Sequence, residues 1–173
     1  FDNLQQQVQI DSAGSMLFED YRPVEQDEAD TEASDDSSPI AQLSGRGATL
    51  FTWTGFLRVD VLRNEMLIDR NVKMVHQPMG DKRVATLACR QMIARLQGEG
   101  GLGVWLSDDA PQPELAEVLA IDDVRMKAQD RYVVADLLSY DASKQLVTLS
   151  ASEGRRTMVY EEDSTQPIQA QHF

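Results

Sequence analysis

Residues 119–151 read LAIDDVRMKAQDRYVVADLLSYDASKQLVTLSA and hold the clearest strand pattern in the chain. Residues 124–128 alternate between apolar and polar side chains, and 131–140 and 146–151 are rich in β-forming residues, so all three segments read as β-strands. Between the last two segments, residues 141–144 (DASK) have the composition of a turn. The stretch therefore predicts three short strands joined by tight turns.

Two phrases from this region recur elsewhere in the chain. Residues 123–128, DVRMKA, resemble NVKMVH at 71–76 and RRTMVY at 155–160, while LLSYDASKQLVTL at 137–149 resembles FLRVDVLRNEMLI at 56–68. Such self-similarity indicates stacked copies of one small β unit, and it favours a scaffold or binding surface over a catalytic core. The alignments match Met74 with Met126 and Met158, Asp60 with Asp141, Arg63 with Lys144, Asn64 with Gln145, and Ile68 with Leu149.

Most of the chain from residue 40 onward is strand-like. A bulge is expected near Asp69, and residues 83–96 also allow a helix, but their neighbours are strands and we favour a strand. Many short strands at about ten-residue spacing indicate a sandwich, jelly roll or stacked β architecture. Further strands are predicted within 8–24 and at 56–61, 66–68, 72–76, 104–106, 115–120 and 156–160.

Composition divides the chain into three parts. Residues 1–24 read as the end of a preceding β unit or as edge strands. Residues 25–39 are acidic and too poor in apolar side chains to fold alone, which predicts an acidic linker or long loop. An acidic docking arm is the alternative interpretation of this run. Residues 40–173 form the predicted β domain, and the chain reads as a fragment of a longer protein.

The net charge of −13 is unevenly distributed. The window from Glu19 to Asp36 holds nine acidic residues and one Arg, so it contributes −8 of the total. A basic footprint for nucleic acid is absent, so we expect no nucleic-acid partner. The single cysteine, Cys89, excludes an intrachain disulfide and is expected to be a small core residue.

Catalytic and metal-binding motifs lack the context that their chemistry needs. Residues 98–103, GEGGLG, match GxGxxG, but VWLSDDAPQP follows and cannot begin the helix of a dinucleotide site. His76, His172 and Cys89 have no zinc-ligand spacing. We therefore predict no enzymatic activity, no metal site and no cofactor.

The three matched methionines have two interpretations. In the first, they pack a closed core between similar strands. In the second, they line an apolar groove, because Met is flexible and fits irregular ligands such as acyl chains. Both interpretations place Met74, Met126 and Met158 on one inward face. They differ in whether the sheets close on each other.

The best-preserved copy of the repeat resembles the OstA-like family, the β-stacked domains of the lipopolysaccharide-transport bridge. The resemblance covers about residues 45–170. The sequence departs from the family pattern at Asp122-Asp123, where a Gly-Asn turn is usual, at Ala151, which replaces a Gly, and at an insertion over 98–113. The positions that follow the pattern are Ala120, Val124, Met126, Asp130, Ala135, Asp136, Leu138, Tyr140, Asp141 and Leu149.

The resemblance implies an all-β fold, a stacked antiparallel β-jellyroll whose two sheets diverge as an open V. It further implies a non-catalytic periplasmic protein that joins homologous domains edge to edge and carries lipopolysaccharide or a similar lipid. A membrane tether in other parts of the chain is compatible with this role. The alternative is a closed-core β scaffold for a protein or polysaccharide partner. Candidate groove residues are Val72, Met74, Val124, Met126, Tyr140, Val147, Leu149 and Met158.

Overall fold

The computed structural model describes residues 7–20, 47–80, 84–97, 114–128, 131–144, 146–161 and 168–170. Within these ranges the chain forms eleven β-strands and no helix. The strands are β1 (Gln7–Ile10), β2 (Gly14–Asp20), β3 (Gly47–Trp53), β4 (Leu57–Asp60), β5 (Glu65–Pro78), β6 (Ala85–Gln97), β7 (Glu114–Ala128), β8 (Arg131–Asp141), β9 (Leu146–Ser150), β10 (Thr157–Glu161) and β11 (Ile168–Ala170).

All eleven strands belong to one antiparallel sheet that does not close into a barrel. The long strands β5 to β8 form its centre, and each side of this centre splits into two branches. Strand β5 pairs with β4 through its first part and with β3 through its second, while β8 pairs with β10 and then with β9. We call the part with β1, β4 and β9 the first half-sheet, and the part with β2, β3, β10 and β11 the second half-sheet.

Two of the long strands bend through a pair of residues with left-handed backbone. In β5, φ is +65° at Arg70 and +48° at Asn71, and in β7 it is +60° at Asp122 and +52° at Asp123. Asn and Asp tolerate this conformation better than most residues with a side chain. The ladder is interrupted at both places, so the bulge expected near Asp69 is confirmed. Two copies of the repeated phrase therefore begin at equivalent bends.

The other two long strands bend with a smaller irregularity. Buried positions pass from Cys89 to Met92 in β6 and from Ala135 to Leu138 in β8, so the spacing changes from two residues to three. After such a bulge, odd-numbered residues occupy the side of the strand that even-numbered residues occupied before it. The bends of the four neighbouring strands coincide, and the apolar side of both half-sheets remains on the inward side of the fold.

Folding at the bends joins the two apolar faces into one core. Ile68 and Met92 in the first half-sheet, and Val72 and Leu87 in the second, are at most 1% exposed. Residues on one face of a single layer reach such burial only when a second layer covers them, as when two sheets pack face to face. The structure is thus all-β and consistent with an open, jellyroll-like arrangement, as the sequence predicts.

The two similar hairpins share the same turn. The carboxylate of Asp60 accepts a hydrogen bond from the backbone N–H of Arg63 at 3.0 Å, and that of Asp141 accepts one from Lys144 at 3.3 Å. Both turn cations also form ion pairs with these carboxylates. The hydrogen bond from the Lys144 ammonium group is the main cause that lowers the pKa of Asp141 to about 2. The alignment of these hairpins is confirmed for Asp60 with Asp141 and for Arg63 with Lys144.

The first described segment contributes a strand to each half-sheet. Strand β1 pairs with β4, and β2 pairs with β3, so β1 and β2 do not pair with each other. The chain crosses from one half-sheet to the other between Ile10 and Gly14. The indole N–H of Trp53 holds this crossing by donating a hydrogen bond to the carbonyl of Ser12 at 2.8 Å.

Candidate functional site

The interior between the half-sheets contains most of the predicted groove residues. Seven of the eight face inward, since each is buried or pairs directly with a buried inward residue. Six of the seven are at most 7% exposed, whereas Val147 is half-buried and packs against the same core. The seven inward residues are Val72, Met74, Val124, Met126, Tyr140, Val147 and Leu149.

The prediction that Met158 faces inward is wrong. Met158 pairs with Val134, while its neighbour Val159 pairs with the buried Val133, and directly paired residues lie on the same side of a sheet. The inward residues of β10 are therefore Thr157 and Val159. Strand β10 lacks the two-residue left-handed bend that precedes the repeated phrase in β5 and β7, and its inward positions are shifted by one residue relative to those of the two strands.

The apolar interior continues to both edges of the sheet. Ile10 on β1 pairs with the buried Leu57, and Ile168 on β11 pairs with the inward-facing Val159. Both isoleucines therefore point to the inward side, yet they are 43% and 55% exposed. Sequence reasoning missed them because these short strands carry no copy of the repeated phrase, and their partners were unknown.

His76 is a buried titratable group in the second half-sheet. It is 1% exposed, its Nδ1 lies 2.7 Å from Oγ1 of Thr49, and its Nε2 has no hydrogen-bond partner among the described residues. Desolvation lowers the pKa of His76 below its ordinary value. The imidazole thus packs as a neutral ring within β5.

We expect His76 to make the fold less stable in mild acid. The unfolded imidazole has a pKa of about 6.5, so as the pH falls below this value the unfolded chain binds a proton that the folded chain resists. Between pH 7.5 and pH 5.5 the native chain should lose up to about 1.4 kcal/mol more unfolding free energy than His76→Gln. Urea unfolding at both pH values measures this difference, and equal losses would contradict the assignment.

Other reactive groups in the described part of the chain have structural roles. Cys89 is buried, and desolvation raises the pKa of its thiol to about 12, so it is a poor nucleophile. No group of three His, Cys, Asp or Glu residues that could hold a metal ion occurs among the described residues. The GEGGLG segment and His172 lie outside those residues.

A cleft of about 480 Å³ lies at the bends and is lined by Asp69, Arg70, Asn71 and Arg90. Its charges are paired: Arg70 lies 3.5 Å from Asp69, and Arg90 lies 2.6 Å from the carboxylate of Asp122. A charged and internally neutralised cleft does not suit an acyl chain. The interior, rather than this cleft, is the candidate functional site.

The described residues include no helix long and apolar enough to cross a membrane. Comparison with known proteins found no matching family model, no similar curated protein and no similar solved structure. The functional interpretation therefore depends on the geometry of the chain itself and on the resemblance carried by its repeat.

Proposed function

We propose that this chain is a non-enzymatic module of a periplasmic bridge that carries lipopolysaccharide or a similar lipid towards the outer membrane. Homologous jellyroll domains join it edge to edge, and lipid acyl chains enter between the half-sheets from the sheet edges, beside the half-buried Val147 and Val159. Other parts of a longer protein tether it to a membrane. The observation that carries this proposal is the apolar interior that reaches both edges of the sheet, where Ile10 and Ile168 remain about half exposed.

Exposed sheet edges support the bridging part of the proposal. Among the described strands, the outermost are β1 and β9 in the first half-sheet and β2 and β11 in the second. The outer edge of such a strand offers backbone N–H and C=O groups to another strand. A second jellyroll that pairs there would also cover Ile10 or Ile168, so backbone pairing and apolar burial would occur together. Burial of apolar surface contributes about 25 cal/mol per Å².

The composition of the interior supports the lipid part. Aromatic residues make up only 6% of the chain, and the core is rich in Met and Ala. Methionine side chains adapt to irregular apolar partners, and small residues leave little bulk to displace. Each CH₂ of an acyl chain that enters the interior would gain about 0.8 kcal/mol. The adaptable core residues are Met66, Met74, Met92, Met126, Ala85, Ala94, Ala120, Ala128 and Ala135.

A second candidate function is a closed-core scaffold that binds a protein or polysaccharide partner. The burial of Val72, Met74, Val124 and Met126, each at most 4% exposed, favours it. Lipid reaches these four residues only if the half-sheets separate. By contrast, the half-buried Val147 and Val159 near the β9 and β11 edges are open to an acyl chain without such a movement.

Photocrosslinking at two adjacent pairs of residues tests the proposal. A benzophenone amino acid replaces the inward Val147 or Val159 in separate variants, and its outward neighbour Thr148 or Met158 serves as the matched control. With purified lipopolysaccharide and ultraviolet light, the inward variants should form a lipid adduct, and the outward variants should form several-fold less.

The crosslinking result separates the two candidate functions. Equal labelling at inward and outward positions would indicate surface adsorption and contradict lipid carriage. Absence of an adduct at Val147 and Val159, with both variants folded by circular dichroism, would leave the closed-core scaffold as the better interpretation.

A further inference from the structure

Three cations lie together on the outer face of the second half-sheet. Lys73, Arg125 and Lys127 are exposed and alternate along β5 and β7 with the buried residues of the repeated phrase. Ala88 of β6 pairs with both Lys73 and Arg125, so these two cations share one row across the sheet. We call these three residues the cationic face.

No described carboxylate forms an ion pair with the cationic face. None of its three residues lies within 4 Å of a described carboxylate, although the chain has a net charge of −13. Seven other described cations each have a carboxylate within that distance. They are Arg63, Arg70, Arg90, Arg95, Arg131, Lys144 and Arg155.

The spacing of the cationic face suits an extended chain. Two strand separations place Lys73 and Arg125 about 10 Å apart, and Arg125 and Lys127 are about 7 Å apart along β7. The small side chains of Thr86 and Ala88 lie between them on the outer side of β6. A flat site with this spacing is open to a strand-like segment laid across it.

Carboxylates at alternate positions of an extended segment match the spacing of Arg125 and Lys127. In an extended segment, residues two apart point to the same side about 7 Å from each other. The sequence EADTE at 28–32 places Glu28, Asp30 and Glu32 in that pattern, within the run 25–36, which has seven acidic and no basic residues. The chain thus contains a peptide whose charge complements its own cationic face and whose period matches the Arg125–Lys127 pair.

We propose that the cationic face binds the acidic run 25–36 of a second copy of this chain. A membrane or a nucleic acid is a poorer match, because the net charge of −13 repels a large anionic surface. A short peptide contacts only the cationic face. The aromatic pair Tyr132 and Tyr160, with ring centroids 5.9 Å apart, borders the face on its β8 side and adds apolar contact area. This inference does not depend on the proposed lipid role.

Peptide binding tests the recognition step. A fluorescent peptide with the sequence of residues 25–36 is titrated with the full chain at about 50 mM salt, where surface charges are weakly screened. The full chain is used in two forms, the native form and a form in which the Asp and Glu residues of 25–36 are changed to Asn and Gln. In the second form the acidic run of the chain itself no longer competes with the added peptide. The triple variant Lys73→Gln, Arg125→Gln, Lys127→Gln should bind the peptide about tenfold or more weakly than the native chain. Salt near 0.5 M should weaken binding of the peptide to the native chain by a similar factor.

A charge-matched variant and the molar mass decide the outcome. The combined variant Arg63→Gln, Arg70→Gln, Lys144→Gln removes three exposed cations elsewhere and should leave peptide binding within about twofold. Light scattering should show salt-sensitive self-association of the native chain that the cationic-face variant loses. Equal weakening in both triple variants, no peptide binding to either form, or a monomer at every salt and protein concentration would overturn the proposal.

Discussion

Replacing Met126 by Asp should unfold much of this protein, whereas the same change at Met158 should leave it folded. Both residues occupy the same place in a repeated phrase, but Met126 is 1% exposed in the core, and Met158 is on the outer face. An Asp side chain at position 126 would be buried away from water, and it would lose the packing contacts that the methionine makes. Together these effects should lower the unfolding free energy by about 5 kcal/mol or more. Typical domains have a total stability of about 5–15 kcal/mol.

The outer residue provides a control for the same chemical change. An Asp at Met158 stays in contact with water, on the face that carries Arg125 and Lys127, so the unfolding free energy should change by less than about 1 kcal/mol. Urea unfolding followed by circular dichroism measures both variants. If Met126→Asp is as stable as Met158→Asp, water fills the space between the half-sheets, and the interior is an open groove rather than a packed core.

Local sequence patterns were sufficient to predict the strands and their hairpins. The strand over 131–140, the DASK turn and the irregularity near Asp69 depend on neighbours in sequence, and all three are confirmed. The choice of a strand for residues 83–96 is also confirmed, by β6. Binary alternation fixes which residues share a face within one strand, because side chains alternate along it.

Features that depend on partners across the sheet were not predictable in this way. The inward position of Met158 was inferred from its phrase, but the side of a residue depends on register, and a shift of one residue reverses it. The exposed inward side chains of Ile10 and Ile168 depend on which strand ends the sheet. The cationic face carried a weak signal, since Lys73 and Arg125 occupy the same place in two copies of the phrase.

Gly47 gives the second large effect that we expect. It opens β3, is buried, and has a φ of +143°, a backbone conformation that residues with a side chain rarely adopt. A Cβ at this position would overlap the backbone carbonyl oxygen of Gln77 on the neighbouring strand β5 and would lie 3.0 Å from the backbone nitrogen of Met79. Because a backbone group cannot rotate away as a side chain does, Gly47→Ala should cost about 3 kcal/mol or more.

Gly154→Ala separates the steric cause from the conformational one. Gly154 also has a positive φ, of +82°, but an added Cβ there meets no atom within 4 Å, so this change should cost only about 1 kcal/mol of backbone strain. Thermal unfolding of both variants measures the difference. Equal losses would mean that β3 does not approach β5 this closely at Gly47. A much larger loss at Gly47 would support the pairing of β3 with β5 that anchors the β2 and β3 edge of the second half-sheet.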